Sequence, residues 1–93
     1  MTRAVWAIPA QTDLARIDDF YRAVAPEFAE RLGRGAIGAA RFLAGHPHAG
    51  PVLLEPVRKW RIPTFDYVLL YRVTGDGIEI LRMHHAREAW RDR

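Results

Sequence analysis

Val57-Arg-Lys-Trp-Arg-Ile62, Phe65-Asp-Tyr-Val-Leu-Leu-Tyr-Arg-Val73 and Gly77-Ile-Glu-Ile-Leu-Arg-Met-His-His85 are the runs whose reading decides the fold. They are short, rich in β-branched and aromatic residues, and bounded by Pro, Gly and Asp, which is the pattern of strands. Thr74-Gly-Asp-Gly77 joins the last two as a hairpin turn, with glycine to supply positive φ. Strict alternation puts Val68 and Leu70 on one face of the middle strand and Leu69, Tyr71 and Val73 on the other. It puts Ile78 and Ile80 on one face of the last strand, and Leu81 and Met83 on the other. Arg72 then shares a face with Leu70 and Val68, and Arg82 with Ile80 and His84.

Outward from this sheet, Arg3–Ile8 reads as a further strand that Pro9 ends. Residues 10–24 read as a helix, because Leu14, Ile17, Phe20/Tyr21 and Val24 recur at helical steps and form one apolar stripe. Asp13 lies near its start and complements the helix dipole. Pro26 stops this helix and suits the first turn of the next. Phe28, Leu32, Ala36, Ala39/Ala40 and Leu43 form a second stripe through residue 44. The short join predicts an antiparallel helical hairpin. Gly45 and Pro47 end the second helix. Residues 46–56 read as a loop, within which Val52-Leu-Leu54 can fold back onto the core. The tail from Ala86 to Arg93 is a short helical turn or a mobile end. The expected fold is α+β: one domain over residues 1–93, in the order β-α-α-β-β-β, with the hairpin packed on a mostly antiparallel four-stranded sheet and the N-terminal strand at one edge.

A single two-helix layer covers one face of such a sheet. The other apolar face calls for a partner segment, unless the 46–56 loop and the tail fold over it.

Composition narrows the chemistry. Ninety-three residues allow one modest core. No apolar run approaches the ~20 residues of a membrane helix. The opening residues lack the pattern of a secretory signal, so a cytoplasmic protein is expected. With no cysteine, serine or asparagine, disulfides, thiolate sites and a Ser-His-Asp triad are excluded. Residues 1–56 carry six basic and six acidic side chains, whereas residues 57–93 carry eight and five. Thirteen of the fourteen basic residues are arginine. A GC-rich coding sequence accounts for the arginine preference as well as function does, but not for the placement. The basic C-terminal portion favours an anionic partner, either nucleic acid or an acidic protein segment.

Ile8-Pro-Ala10 with Asp13-Leu14, Ile17 and Tyr21, then His46-Pro47 with Gly50, then Arg58-x-Trp-x-Ile62, Phe65-x-Tyr67-x-Leu69-x-Tyr71-Arg72-Val73 and Ile78-Glu-Ile-Leu-Arg-Met-His84-His85 with Arg87, resemble in order and spacing the RelE/ParE superfamily of type II toxin–antitoxin toxins. The resemblance covers nearly the whole chain. It implies a cytoplasmic toxin that forms a hetero-oligomer with an antitoxin encoded beside it. Operator DNA would be reached only through that antitoxin, and no membrane or cofactor is involved. ParE-like members inhibit DNA gyrase, and RelE-like members cleave mRNA on the ribosome. The ribonucleases use basic residues on the sheet and a late tyrosine. Lys59 and Arg61 are similar to the sheet pair. An apolar residue, Val68, stands where those enzymes have an arginine, and the nearest late aromatic is Trp90, whose indole is neither acid nor base at neutral pH. The closer resemblance is therefore to the ParE branch, with mRNA cleavage as the alternative. A degenerate member that only binds its antitoxin is a third reading.

The residues expected to contact antitoxin or target are Arg58, Arg61, Arg72, Arg82, His84, Arg87 and Trp90, some of the arginines being ordinary solvated ends or partners of Glu79 and Asp66. Trp60 and Trp90 are both candidate anchors, since tryptophan is enriched at interface centres, with Trp60 leaning to core and Trp90 to interface. For a ribonuclease the set would be Lys59, Arg61, His84 and His85, since histidine titrates near neutrality. Adjacent histidines on a strand point to opposite faces, so at most one serves any groove. His46 and His48 are too few for a metal site.

Overall fold

A computed structural model describes residues 2–88. Its elements are β1 (Arg3–Trp6), α1 (Ile8–Val24), α2 (Pro26–Gly45), β2 (Val52–Leu54), β3 (Val57–Arg61), β4 (Tyr67–Thr74) and β5 (Gly77–His85). The sheet has five strands in the order β1-β5-β4-β3-β2. β1 lies at one edge, parallel to β5, and the other pairings are antiparallel. The α+β architecture is the expected one with one strand more: Val52–Leu54 does not stay in a loop but pairs with β3 and becomes the second edge.

Pro9 belongs to the first turn of α1 rather than ending a strand, and β1 stops at Trp6. A proline there forfeits an N–H that would have no helical partner anyway. One residue, Ala25, separates the helices, and Pro26 opens α2. The stripe of α2 buries Leu32, Ala36, Ala39, Ala40 and Leu43 as expected. The stripe of α1 ends early. Tyr21 packs against the core, but Phe20 is 62 % and Val24 68 % exposed.

Leu32, Leu43, Ile62, Leu69, Tyr71, Ile78, Ile80 and Met83 form the centre of the core. Met83 is there against strict alternation. The β4–β5 pairing runs Leu70↔Arg82 and then Tyr71↔Ile80, so Leu81 is an extra residue. This bulge turns Ile80 and Met83 to the same side. One expectation fails as a result: Arg82 does not share a face with Ile80.

Two contacts fix the ends of the sheet. A Cβ at Gly77 would collide with the Arg3 backbone, so glycine there lets β1 approach β5. The Tyr71 hydroxyl donates to the Pro47 carbonyl (2.8 Å) and accepts from Gly50 N–H (2.9 Å), which fastens the 46–51 loop on the helix side. That loop therefore does not cover the opposite face.

Candidate functional site

The helix-free face is built from β3, β4 and β5. Cross-strand partners lie side by side on one face. The rows are Arg61–Val68–His84 and Lys59–Leu70 with Arg82, followed by Arg72–Glu79 and Val5. Lys59, Arg61 and His84 thus share a face. Val68, 7 % exposed, stands between Arg61 and His84.

Several of the basic groups are occupied. Arg72 Nε donates to Glu79 Oε1 at 2.8 Å. Arg61 donates to the Phe65 carbonyl and pairs with Asp66. His84 Nδ1 lies 3.7 Å from Glu88. Arg58 lies on the helix side, partnered with Tyr71 in the ladder, and its guanidinium donates to the Gly50 carbonyl at 2.7 Å. Its place is loop support, not the outer surface. Arg87 is in the turn after β5, where its N–H donates to His85 Nδ1. Trp90 lies outside the described residues.

The two histidines do point to opposite faces. His85 sits edge-on to Tyr67 (5.0 Å between ring centres), and its Nδ1 accepts a backbone N–H. Accepting there leaves Nε2 to carry the ring proton. Tyr67 in turn donates to the Tyr21 hydroxyl at 3.2 Å. Burial, with that bond to Tyr21, pushes the Tyr67 hydroxyl well above its ordinary range. It stays protonated through neutrality.

Arg82 leaves the outer face altogether. It reaches Asp13 on α1, donating from Nε at 2.8 Å and from Nη2 at 3.1 Å. The same carboxylate accepts Met83 N–H at 2.9 Å. β1 has ended by then, at the Trp6↔Ile80 pair. Asp13 thereby closes the edge of β5 that β1 leaves open. Burial pushes this carboxyl upward, but Arg82, Met83 N–H and the charge of His84 outweigh it and hold it below its ordinary value. The helix-dipole role given to Asp13 from sequence is corrected: the first turn of α1 has no acidic residue, and Asp13 is 1 % exposed.

A groove of about 910 Å³ opens beside the helical hairpin, lined by Leu14, Ala15, Ala29, Gly33 and Ile37 with Arg22, Arg34 and Arg41 among its charged residues. Sequence periodicity did not mark it. Its signal was the glycine–alanine content of α2. His46 stacks on Phe42 (4.4 Å), and its Nδ1 is 3.1 Å from the Phe42 carbonyl. Among the described residues no helix is long and apolar enough to cross a membrane.

The comparisons agree with this geometry. Residues 4–90 match the ParE toxin family of type II toxin–antitoxin systems, parDE. The chain is 30 % identical over 86 residues to Toxin RelE2 of Caulobacter vibrioides, covering 92 % of this chain and 97 % of that one. Its fold is similar to a chain of the chromosomal ParDE toxin–antitoxin system from P. aeruginosa, with a TM-score of 0.77, 27 % identity, and coverage of 91 % and 96 % of the two chains. A five-stranded sheet under a helical hairpin, an exposed groove beside that hairpin and a match that spans nearly the whole chain together make this protein a member of the ParE toxin family, the toxin half of a type II toxin–antitoxin pair.

Proposed function

We propose that this toxin inhibits DNA gyrase by binding, without covalent chemistry of its own, and that its antitoxin neutralises it in the cytoplasm. The observation that carries the reading is Val68. It is a buried apolar residue between Arg61 and His84, so a hydrocarbon side chain separates the cation that would steady a scissile phosphate from the imidazole that would move protons on it. The helical-hairpin groove supports the partnership. It is apolar along its length and carries charged residues, the character of a surface that takes an amphipathic helix.

One observation favours a second reading. Lys59, Arg61 and His84 share the outer face, and a histidine beside cations can cleave RNA. Purified protein is added to a gyrase supercoiling reaction and, separately, to ribosomes translating a defined mRNA. The gyrase reading expects loss of supercoiling, restored by antitoxin, with intact mRNA. Clean mRNA cleavage with unimpaired supercoiling selects the second reading.

A further inference from the structure

Lys59 carries the one side-chain amine of the sequence. The other thirteen basic residues are arginine, and there is no cysteine or serine. A guanidinium stays protonated and does not attack a carbonyl, whereas a lysine that gives up its proton is a nucleophile. The preference for arginine that holds at thirteen positions fails at this one, where the chemistry of the two groups differs. Any amine-directed modification of a side chain in this protein falls on Lys59.

The structure sets the same amine apart independently. β3 places Lys59 on the outer face, opposite Leu70 in the ladder. The next residue along that row is Arg82, whose guanidinium has left for Asp13. Arg61 and Arg72 on this face are held by Asp66 and Glu79. Lys59 pairs with no carboxylate among the described residues. It is half-buried, and a lysine whose stem lies along apolar surface keeps its amine in water. Arg58, Lys59 and Arg61 also make β3 basic, with no acidic residue in the strand. An anionic reagent is drawn to such a strand.

We propose that Lys59 is an acylation site, and that acylation there disarms the outer face while leaving the hairpin groove unchanged. The donor is an activated acyl group on an anionic carrier, either an acyl phosphate or an acyl thioester. The Nζ lone pair attacks the acyl carbonyl carbon, and a C–N amide bond forms. The acyl–oxygen or acyl–sulfur bond breaks, and its electron pair leaves with the phosphate or the thiolate. The proton lost from nitrogen passes to water, and nothing is oxidised or reduced. The amide is neutral, so the face loses the charge of Lys59 and gains an apolar group beside Leu70. The hairpin groove has no lysine in its lining. The switch rests on the reading of this protein as a toxin that acts by binding and whose antitoxin takes that groove.

The test incubates the folded full chain with acetyl phosphate and, separately, with acetyl-coenzyme A. Intact mass and peptide mapping read the products, and Lys59→Arg, which keeps the charge and removes the amine, controls for the site. One acetyl group on Lys59 is expected, added no more slowly than to a free peptide spanning residues 57–62. The faster of the two donors identifies the source. The purified acetylated chain should bind the antitoxin polypeptide from the adjoining gene with a Kd within about twofold of the parent's. It should inhibit gyrase supercoiling about fivefold less strongly. A folded chain whose Lys59 takes an acetyl group from neither donor, while the peptide does, overturns the site. An acetylated chain that inhibits as the parent does, or that loses its antitoxin, overturns the switch. A parent chain that leaves supercoiling intact overturns the gyrase reading instead, and the mass and antitoxin measurements still decide the site.

Discussion

A carboxylate taken out of water must find compensation for its lost hydration. Asp13 finds it in the Arg82 guanidinium and the Met83 N–H. Asp13→Asn keeps an acceptor but loses the charge, so urea unfolding should show a loss of about 1–3 kcal/mol. The pH dependence has a definite sign. The folded carboxyl is held below its unfolded value of about 3.9. Its contribution is therefore complete above that value and lost as pH falls through the depressed folded pKa. The parent should lose stability on acidification below about pH 4 more steeply than Asp13→Asn, and an identical acid limb in both would contradict this account. Thr64 has φ of 69°, a left-handed backbone that a β-branched residue adopts at a cost. Thr64→Gly should recover up to about 1 kcal/mol, read as a higher urea midpoint at unchanged slope. Neither position declared itself in the sequence. Asp13 meets a strand some seventy residues away, and local reading offered only the helix dipole as a partner for it.

Elements were more legible than single contacts, because periodicity is a property of a whole segment. Both helices, the three long strands and the edge position of β1 follow from apolar spacing and from Pro and Gly. Two failures have specific causes. Val52–Leu54 is too short for alternation to register, and its pairing with β3 makes it a strand. The Leu81 bulge adds one residue to β5, which reverses every face assignment on one side of it. The glycines of α2 separate two kinds of role. Gly33→Ala should raise stability by about 0.5–1 kcal/mol, since its Cβ enters open space. Gly35→Ala should lower it, because Phe65 is held between this helix and Phe28. Thermal melting of the two variants, two positions apart on one helix, gives opposite signs if this packing is right.

At the scale of the whole molecule, the fold presents two surfaces of different character. The helix side carries the hairpin groove and the smaller α2–β3 cleft. The outer sheet face carries Lys59, Arg61, Arg72 and His84 around the apolar Val68 and Leu70. Of the seven positions expected from sequence to contact antitoxin or target, Arg61, Arg72 and His84 do gather on that face. Arg58 and Arg82 are drawn into loop and helix contacts instead, because each finds an internal acceptor. A chain's charge pattern shows that it is basic in one portion, but not which arginines its own carboxylates and carbonyls will engage. If gyrase is met by the outer face, replacing Lys59 and Arg61 together with alanine should weaken inhibition about tenfold or more, as losing charged interface contacts does, while antitoxin binding is kept.

Gyrase inhibition is read out by a cleavage-complex assay on supercoiled plasmid, run with the toxin alone and with toxin preincubated with its antitoxin. The toxin alone should trap gyrase on cut DNA and block supercoiling, and antitoxin should abolish both effects. Undiminished supercoiling with no trapped complex, from protein shown to be folded and to bind its antitoxin, would contradict gyrase inhibition.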